Sequence, residues 1–370
     1  MSNLLKDASI LLTPTGYDNG KMLSIKPEDG DGDFTFSRNS AATRVNAQGL
    51  VENVQILSSN LVQNGDFSQI GSEEVTNGSF SQEGSEQITN GDFSTDTYWS
   101  KGNGWSISGG SANCDGTQSG NSDLKQQGGI LGATIDFVVG KTYKVNFDIV
   151  VTSGAITYIE VANGYDNNDI TTSGNHTTYI TAVSTNDRFQ ITANPDFIGS
   201  IDNVSVKEVG QDWSFTSGAT LTDIGAKITH TPTAGSIAQL SILTIGKQYK
   251  LTYEITENVS GGLKFNSAVN SAMVTTVGVH TKYFEADGTT AVIGRTSSSN
   301  NDVTITNISV KEVGQNWSFG DGFTPDQANS KATCDGTQSA VTNLTQTIST
   351  NIQNKLVRVS FTLDYTAGVC

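Results

Sequence analysis

Ten residues of this sequence occur twice and decide how the chain folds. The stretch VKEVGQDWSF spans Val206–Phe215, and VKEVGQNWSF spans Val310–Phe319, 104 residues further on. One position differs, with Asp212 in the first copy and Asn316 in the second. A match of this length at one offset indicates a duplicated domain. The glycine at its centre predicts a turn between the last strand of one copy and the first strand of the next.

Segments in which apolar and polar residues alternate lie on both sides of this stretch. The segments 143–149, 249–255 and 357–363 each alternate apolar and polar side chains, as half-buried strands do. Gly, Ser, Thr and Asn are abundant between them, and no helical period interrupts the pattern. The sequence therefore predicts an all-β protein of tandem β-sandwich (jelly-roll) domains, each of about 100 residues.

The repeat sets the predicted domain boundaries. Residues 96–209 form copy one, 210–313 copy two and 314–370 a partial copy three. The third copy has about half the length of the others, and half a sandwich leaves open strand edges. We therefore expect copy three to be completed by residues beyond Cys370 or by another chain.

A shorter repeat precedes copy one. NGDFS at 64–68, NGSFS at 77–81 and NGDFS at 90–94 recur every 13 residues. A unit of this size is too short to have its own core. The spacing predicts an extended stalk over 59–95 that is ordered by homo-oligomerisation, because isolated units would leave backbone groups unpaired.

The composition excludes several classes of function. The net charge of −16 disfavours nucleic acid as a partner. No apolar run is long enough to span a bilayer, and residues 1–7 do not lead into the apolar core of a signal peptide. We expect neither nucleic-acid binding nor membrane insertion.

The residues that usually carry chemistry are scattered. His176, His230 and His280 have no partners spaced for a metal or a catalytic triad. Cys114 and Cys334 lie in the same phrase, CDGTQS, of different copies and are predicted to be free, buried and apolar. Acidic residues recur from repeat to repeat, which indicates a scaffold. The sequence predicts no catalytic residue, no metal and no cofactor, and hence no enzyme.

Aromatic residues are the candidates for ligand binding, because sugar rings stack on exposed Trp and Tyr. Trp105, Trp213 and Trp317 open their copies and are predicted to be core residues. Tyr98 and Trp99 have no apparent counterpart in the other copies. These two are the predicted ligand-binding candidates, as contacts from a loop.

Two stretches resemble a known class of protein. The segment 36–52, with SRNSAATRVN followed by GLVE, resembles the amino-terminal region of tail-fibre and related appendage proteins of bacteriophages. The succession of NGDFS, a Trp strand, GKxYK and DNVSVK (202–207) resembles the carbohydrate-binding-module-like jelly-roll repeats of such proteins. Copy two departs from the last motif, with Thr306 where copy one has Asp202.

The resemblance implies a structural role in the virion, assembled in the host bacterial cytoplasm. Residues 1–58 would be the attachment segment that docks to other virion proteins, with the sandwiches projecting towards the host surface, and the family favours a trimer. It does not distinguish a head fibre from a tail fibre. Two alternatives stay open: a glycan-binding adhesin, distinguished by an exposed aromatic platform in a cleft, and a secreted glycan-active enzyme, distinguished by two carboxylates about 5–10 Å apart.

Overall fold

The computed structural model describes residues 59–353, apart from 217, 231–234, 269–271 and 297–299. It also describes Gly49, residue 355, residues 357–364 and short strands before residue 55. Asn64–Thr347 is one compact unit, and the other described residues belong to a second. The described part of the chain contains no helix with the length and apolarity that a membrane span requires.

The second unit contains two small sheets from the predicted attachment segment. Strands β1, β2 and β3 follow one another in an antiparallel sheet, and β4 pairs with β5. Their bounds are β1 (Tyr17–Asp18), β2 (Lys21–Met22), β3 (Phe34–Thr35), β4 (Ala42–Val45) and β5 (Val51–Val54). The other residues of the predicted attachment segment, except Gly49, lie outside the described part.

Two β-sandwiches make up most of the larger unit, and the all-β prediction is confirmed. The strands before and within sandwich 1 are β6 (Ile70–Glu73), β7 (Glu83–Glu86), β8 (Ser100–Lys101), β9 (Trp105–Ser108), β10 (Ser111–Asp115), β11 (Ser122–Gln127), β12 (Thr142–Ser153), β13 (Ile156–Val161), β14 (Gly164–Asp166), β15 (Gly174–Thr181), β16 (Arg188–Ala193) and β17 (Ile198–Val209). One sheet of sandwich 1 has the order β15-β12-β17-β10-β9, and the other has the order β14-β13-β16-β11-β8.

Sandwich 2 repeats this arrangement. Its strands are β18 (Ser214–Phe215), β19 (Ala219–Thr222), β20 (Gly225–Thr229), β21 (Ser236–Gln239), β22 (Gln248–Ser260), β23 (Leu263–Phe265), β24 (Gly278–Glu285), β25 (Ala291–Arg295) and β26 (Asp302–Val313). The sheets have the orders β19-β20-β26-β22-β24 and β18-β21-β25-β23. Each sandwich has its own buried core, because alternate residues of both sheets point inward.

The segment 59–95 is not the predicted stalk. Strand β7, which lies just before the third motif (90–94), pairs with β17 of sandwich 1, and β6, just before the second motif (77–81), pairs with β26 of sandwich 2. The long strands explain this: β10 covers only the first part of β17, and β20 only the first part of β26. The repeats supply the ladder partner for the remainder. Their backbone is therefore satisfied within one chain, which removes the reason given above for oligomerisation.

The Asn-Gly motif fits this position because of its backbone. Asn64, Asn77 and Asn90 have φ between 47° and 56°, a left-handed conformation that Asn tolerates better than most residues. The glycine that follows lies against a sandwich strand: a Cβ on Gly78 would come within 1.8 Å of the Ile308 carbonyl oxygen. The motif is thus a close backbone contact rather than a hairpin turn in a stalk.

Equivalent glutamines in the two sandwiches hold the repeats in place. Gln126 of β11 accepts the backbone N–H of Thr89 at 3.3 Å, and Gln239 of β21 accepts that of Thr76 at 3.1 Å. These matching contacts show that Gln126 of sandwich 1 and Gln239 of sandwich 2 are equivalent residues. They also place the repeats in reverse order, with the third repeat on sandwich 1 and the second on sandwich 2.

The sandwiches meet through the same tyrosine position. Tyr179 on the edge strand β15 packs against the core of sandwich 2, and Tyr283 on β24 occupies the equivalent ladder position. Burial raises the pKa of both hydroxyl groups, with a further contribution from Asp326 at Tyr283. Each edge strand is thereby packed against the next module at its tyrosine, while residues such as Val279 stay exposed.

Copy three differs from the prediction. Its strands are β27 (Ser318–Phe319), β28 (Phe323–Asp326), β29 (Lys331–Cys334) and β30 (Leu344–Thr345), with a 3₁₀ turn at Gln327–Asn329. The strand predicted from the alternation at 357–363 is absent, and residues 357–364 are exposed. A strand requires a neighbour for its backbone hydrogen bonds, and none pairs with these residues in the described part of the chain.

Candidate functional site

The two predicted ligand-binding residues belong to the fold. The Trp99 ring is 3% exposed, and its Nε1–H donates to the Asn90 carbonyl oxygen at 2.9 Å. Its ring centroid lies 4.9 Å from that of Phe93. Tyr98 is partly buried and packs against the same core. The buried ring of Trp99 is not available for the predicted loop contact, and for Tyr98 that contact stays a prediction.

The apparent uniqueness of Trp99 came from a wrong alignment. Trp213 and Trp317 donate to the carbonyl oxygens of Asn77 and Asn64 at 3.0 Å, as Trp99 does to Asn90. Trp99 is therefore the counterpart of these two, and Trp105 is not. The dipeptide Trp-Ser does not identify this register, because Trp105 is also followed by a serine. The residue before each of the three equivalent tryptophans has a left-handed φ of 70–73°.

The histidines and cysteines singled out in the sequence lie at different places in the fold. No group of three His, Cys, Asp or Glu side chains that could share a metal ion occurs among the described residues. His176 and His280 each contact a backbone carbonyl four residues earlier. Cys114 is buried as predicted, whereas Cys334 is exposed, because β29 pairs with β28 alone among the described strands.

One outward sheet surface of sandwich 1 combines aromatic and polar side chains. It is the outer side of the sheet β14-β13-β16-β11-β8, where residues alternate with inward-pointing core residues such as Ile159 and Ile191. We call it the polar face, and it consists of Asp123, Lys125, Tyr158, Glu160, Tyr165, Arg188, Gln190 and Thr192.

A hydrogen-bonded network fixes the centre of the polar face. Gln190 Nε2 donates to Tyr158 Oη at 2.8 Å and to Thr192 Oγ1 at 2.9 Å. The Thr192 hydroxyl donates in turn to Asp123 Oδ1 at 3.0 Å. Gln190 is 4% exposed and Thr192 1%, so these groups keep one arrangement. The buried pair thereby fixes the positions of Tyr158 and Asp123, the partly exposed members of the network.

A buried ion pair stabilises the same surface. Arg188 Nε donates to Glu160 Oε1 at 2.9 Å, and Nη2 donates to Oε2 at 2.6 Å. The Glu160 side chain is 1% exposed and that of Arg188 28%. The bidentate geometry offsets the cost of burying the carboxylate. Glu160 thus contributes to the rigidity of the face.

Aromatic side chains border one side of the polar face. Tyr165 on the edge strand β14 is 50% exposed and stands opposite Glu160 in the ladder. Its ring meets that of Tyr158 edge to face, with centroids 5.8 Å apart. On the other side, Asp123 and Lys125 line an open cavity of about 400 Å³. The face therefore runs from an exposed aromatic ring to a polar depression.

The described residues of sandwich 2 form no such surface on the corresponding sheet. In sandwich 1, Lys125 pairs with Gln190 and Asp123 pairs with Thr192 across β11 and β16. The corresponding pairs across β21 and β25 consist of small or apolar residues, Ala238 with Val292 and Ser236 with Gly294. The same strand arrangement thus carries a polar network in sandwich 1 and small or apolar side chains in sandwich 2.

Another polar cluster recurs in both sandwiches, which marks it as part of the scaffold. Asp148 accepts hydrogen bonds from Asn203 and Asn175, and these lower the pKa of its carboxyl group. At the equivalent position of sandwich 2, Glu254 accepts from Asn307 at 2.7 Å. A feature that both copies keep follows from their common strand arrangement. The polar face, found in one copy, does not.

No protein-family model and no curated protein sequence matches this chain. Among solved structures, it is similar to the N-terminal CBM22-1-CBM22-2 tandem domain of Xyn10C from Paenibacillus barcinonensis, with a TM-score of 0.28 and 9% sequence identity. The similarity covers 63% of this chain and 99% of that chain. A likeness at this level does not bear on the site, and the β-sandwich assignment rests on the sheets described above.

Proposed function

We propose that this chain is an appendage protein in which sandwich 1 binds a surface glycan and sandwich 2 is a spacer. The polar face of sandwich 1 carries the proposal. It places the exposed ring of Tyr165 beside fixed hydrogen-bonding groups, and sandwich 2 lacks these groups at the matching ladder positions.

The chemistry of sugars supports this assignment. A pyranose ring has an apolar C–H side that stacks on an aromatic ring and a rim of hydroxyl groups that needs directed hydrogen bonds. Tyr165 offers the aromatic ring, and the partly exposed Asp123 and Lys125 offer the polar groups. The buried network beneath them holds Asp123 in place, which lowers the cost of ordering it on binding. The net charge of −16 disfavours polyanions, so the proposed ligand class is a neutral glycan.

A binding test uses the two sandwiches as mutual controls. We expect Tyr165→Ala to weaken binding to neutral glycans at least about tenfold, because stacking and burial at one hot spot are worth more than 1.4 kcal/mol. Lys264→Ala on the corresponding sheet of sandwich 2 is expected to change nothing. Equal affinity of the wild type and Tyr165→Ala, measured by calorimetry, would refute the proposed face.

The proposal includes no catalysis. Glycoside hydrolysis requires a pair of carboxyl groups that reach the substrate. On the polar face, Glu160 is buried and held by Arg188, which leaves Asp123 without a second accessible carboxylate. We expect no release of reducing ends from glycan substrates, and release that disappears in Asp123→Asn would contradict this part of the proposal.

The narrower proposal is a bacteriophage virion, with residues 1–58 docked to other virion proteins. The resemblance of segment 36–52 to appendage proteins supports it, as does the serial arrangement of sandwiches. A trimer remains part of this proposal on the resemblance alone. Immunogold labelling of purified particles with an antibody against 64–347 is expected to mark a projecting fibre and to tell head from tail. Particles that contain no such chain by mass spectrometry would refute it.

A further inference from the structure

The amino-terminal segment of the larger unit passes the three modules in the reverse of their order along the chain. Its first motif lies on copy three: Asn64 Nδ2 donates to the Gln315 carbonyl oxygen at 3.1 Å, and Trp317 Nε1–H donates to the Asn64 carbonyl oxygen at 3.0 Å. Its second motif makes the same two contacts at the start of sandwich 2. Its third motif lies on sandwich 1, where Trp99 takes the place of Trp317. The chain therefore enters this unit at copy three and reaches sandwich 1 last.

Sandwich 2 is the middle module of the three. Strand β15 of sandwich 1 contacts its strand β19, and strand β28 of copy three contacts its strand β24. Strands β19 and β24 are the opposite edges of one sheet, so sandwich 1 and copy three lie on opposite sides of sandwich 2. The first residue of the unit, Asn64, contacts copy three, and the last, Thr347, follows strand β30 of copy three. Sandwich 1 is thus the module remote from both ends of the chain segment that forms the unit.

The side chains at the joints mark sandwich 1 as an end module. Phe215, two residues after the equivalent tryptophan, lies against the glycine that links sandwich 2 to sandwich 1: a Cβ on Gly210 would come within 3.0 Å of its ring. Phe319 occupies the same place in copy three. In sandwich 1 this position is Lys101, which forms an ion pair with Asp96, and the two side chains are 27% and 56% exposed. A charged pair open to water replaces the apolar joint, as the terminal repeat of a stacked array requires.

We infer that sandwich 1 is the free tip of the protein and that its polar face is presented to the surface beyond that tip. The inference rests on the proposed function, in which residues 1–58 dock the chain. These residues join the larger unit at Asn64, which contacts copy three, so the docked end is the copy-three end and sandwich 2 is the spacer. The partner of the polar face is then a glycan on the facing surface, which explains why the end module alone needs the polar network.

The test measures three distances in the intact chain. Cys334 of copy three is free and exposed, and it carries one spin label. Asp66→Cys, Ser79→Cys or Asp92→Cys carries the other, because these residues are exposed and occupy the same place in the three motifs. Every sample also contains Cys370→Ser, which removes a further labelling site, and the remaining cysteine is buried.

Pulsed electron resonance is expected to give distances from Cys334 that increase from Asp66 through Ser79 to Asp92. The total increase should be at least about 20 Å, because a five-stranded sheet of sandwich 2 lies between and is about 24 Å wide at about 4.8 Å per strand. This order is the reverse of that along the sequence, in which Asp92 is nearest to Cys334. Distances that decrease from Asp66 to Asp92, or that stay equal, would overturn the inference. A second exposed set of equivalent positions repeats the measurement if a variant does not fold: Ser68, Ser81 and Ser94.

Labelled particles test the orientation. Gold coupled to Asp92→Cys is expected to lie farther from the particle surface than gold coupled to Cys334. The opposite radial order overturns the outward tip, even where the distances within the chain increase as expected. Particles without the chain overturn the virion proposal alone, because the distance order is measured on the isolated protein. Unchanged glycan affinity in Tyr165→Ala overturns the polar face and leaves the order of the modules standing.

Discussion

Replacing Phe80 by Ala tests whether the 13-residue repeats are part of the sandwiches. Phe80 is 7% exposed and lies in the core of sandwich 2. Its ring centroid is 5.2 Å from that of Trp213 and 6.2 Å from that of Phe215. In a free stalk the same change would leave the stability of sandwich 2 unaltered, so the two structures predict opposite results.

The expected loss follows from burial. Truncating a buried Phe to Ala costs about 3–5 kcal/mol, as lost transfer energy together with a residual cavity. Phe80 lies in an added segment that can partly close over the space, so we expect about 3 kcal/mol. For a domain of about 100 residues, that lowers Tm by about 12–24 °C.

Calorimetry with the intact chain measures this loss. We expect Phe80→Ala to lower the transition of sandwich 2 and to spare that of sandwich 1, whose own repeat residue Phe93 is 1% exposed and unchanged. Ser79→Ala, next to it and exposed, is the control. A Phe80→Ala protein with the transitions of the wild type would refute the assignment of the repeats to the sandwich cores.

Three further outcomes are expected. Trp99→Phe removes the hydrogen bond to Asn90 and is expected to destabilise sandwich 1 by about 1 kcal/mol without changing glycan affinity, as thermal unfolding and calorimetry will measure. Hydrogen bonds from two lysines lower the pKa of Glu83, so its stabilisation, below about 1 kcal/mol at this exposure, is present above its ordinary value of 4.5 and is lost as pH falls through the lowered pKa. Glu83→Gln should therefore flatten the acid limb of a stability–pH curve. Burial raises the pKa of the Cys114 thiol, so mass spectrometry after brief alkylation at pH 8 should find Cys334 modified and Cys114 protected.

Local patterns were sufficient for the strands. The alternation at 143–149 and 249–255 corresponds to β12 and β22, because a pleated strand with one buried side imposes a period of two on its own residues. The same alternation at 357–363 was not sufficient. Strand formation also requires a partner, which a single segment does not encode.

The position of the repeats was decided by tertiary structure. Asn77 donates to a carbonyl group 134 residues away, and Asn64 to one 251 residues away. The 13-residue spacing shows that the motifs are equivalent to one another. It carries no record of which long strand each motif completes, because that depends on which strand edge remains unpaired after the sandwich has formed.

The candidate site shows the same difference between what the sequence determines and what the tertiary structure determines. The sequence placed aromatic residues at Tyr98 and Trp99, but whether a ring is buried or exposed depends on what packs over it, and the third repeat covers Trp99. Tyr165, Gln190 and Asp123 are far apart in the sequence and lie on the same side of one sheet. The sequence alone determined that the chain folds into repeated β-sandwiches, because strand periodicity and duplication are local and visible. The tertiary structure decided which surface carries the polar network, since strand order brings together residues that no local pattern connects.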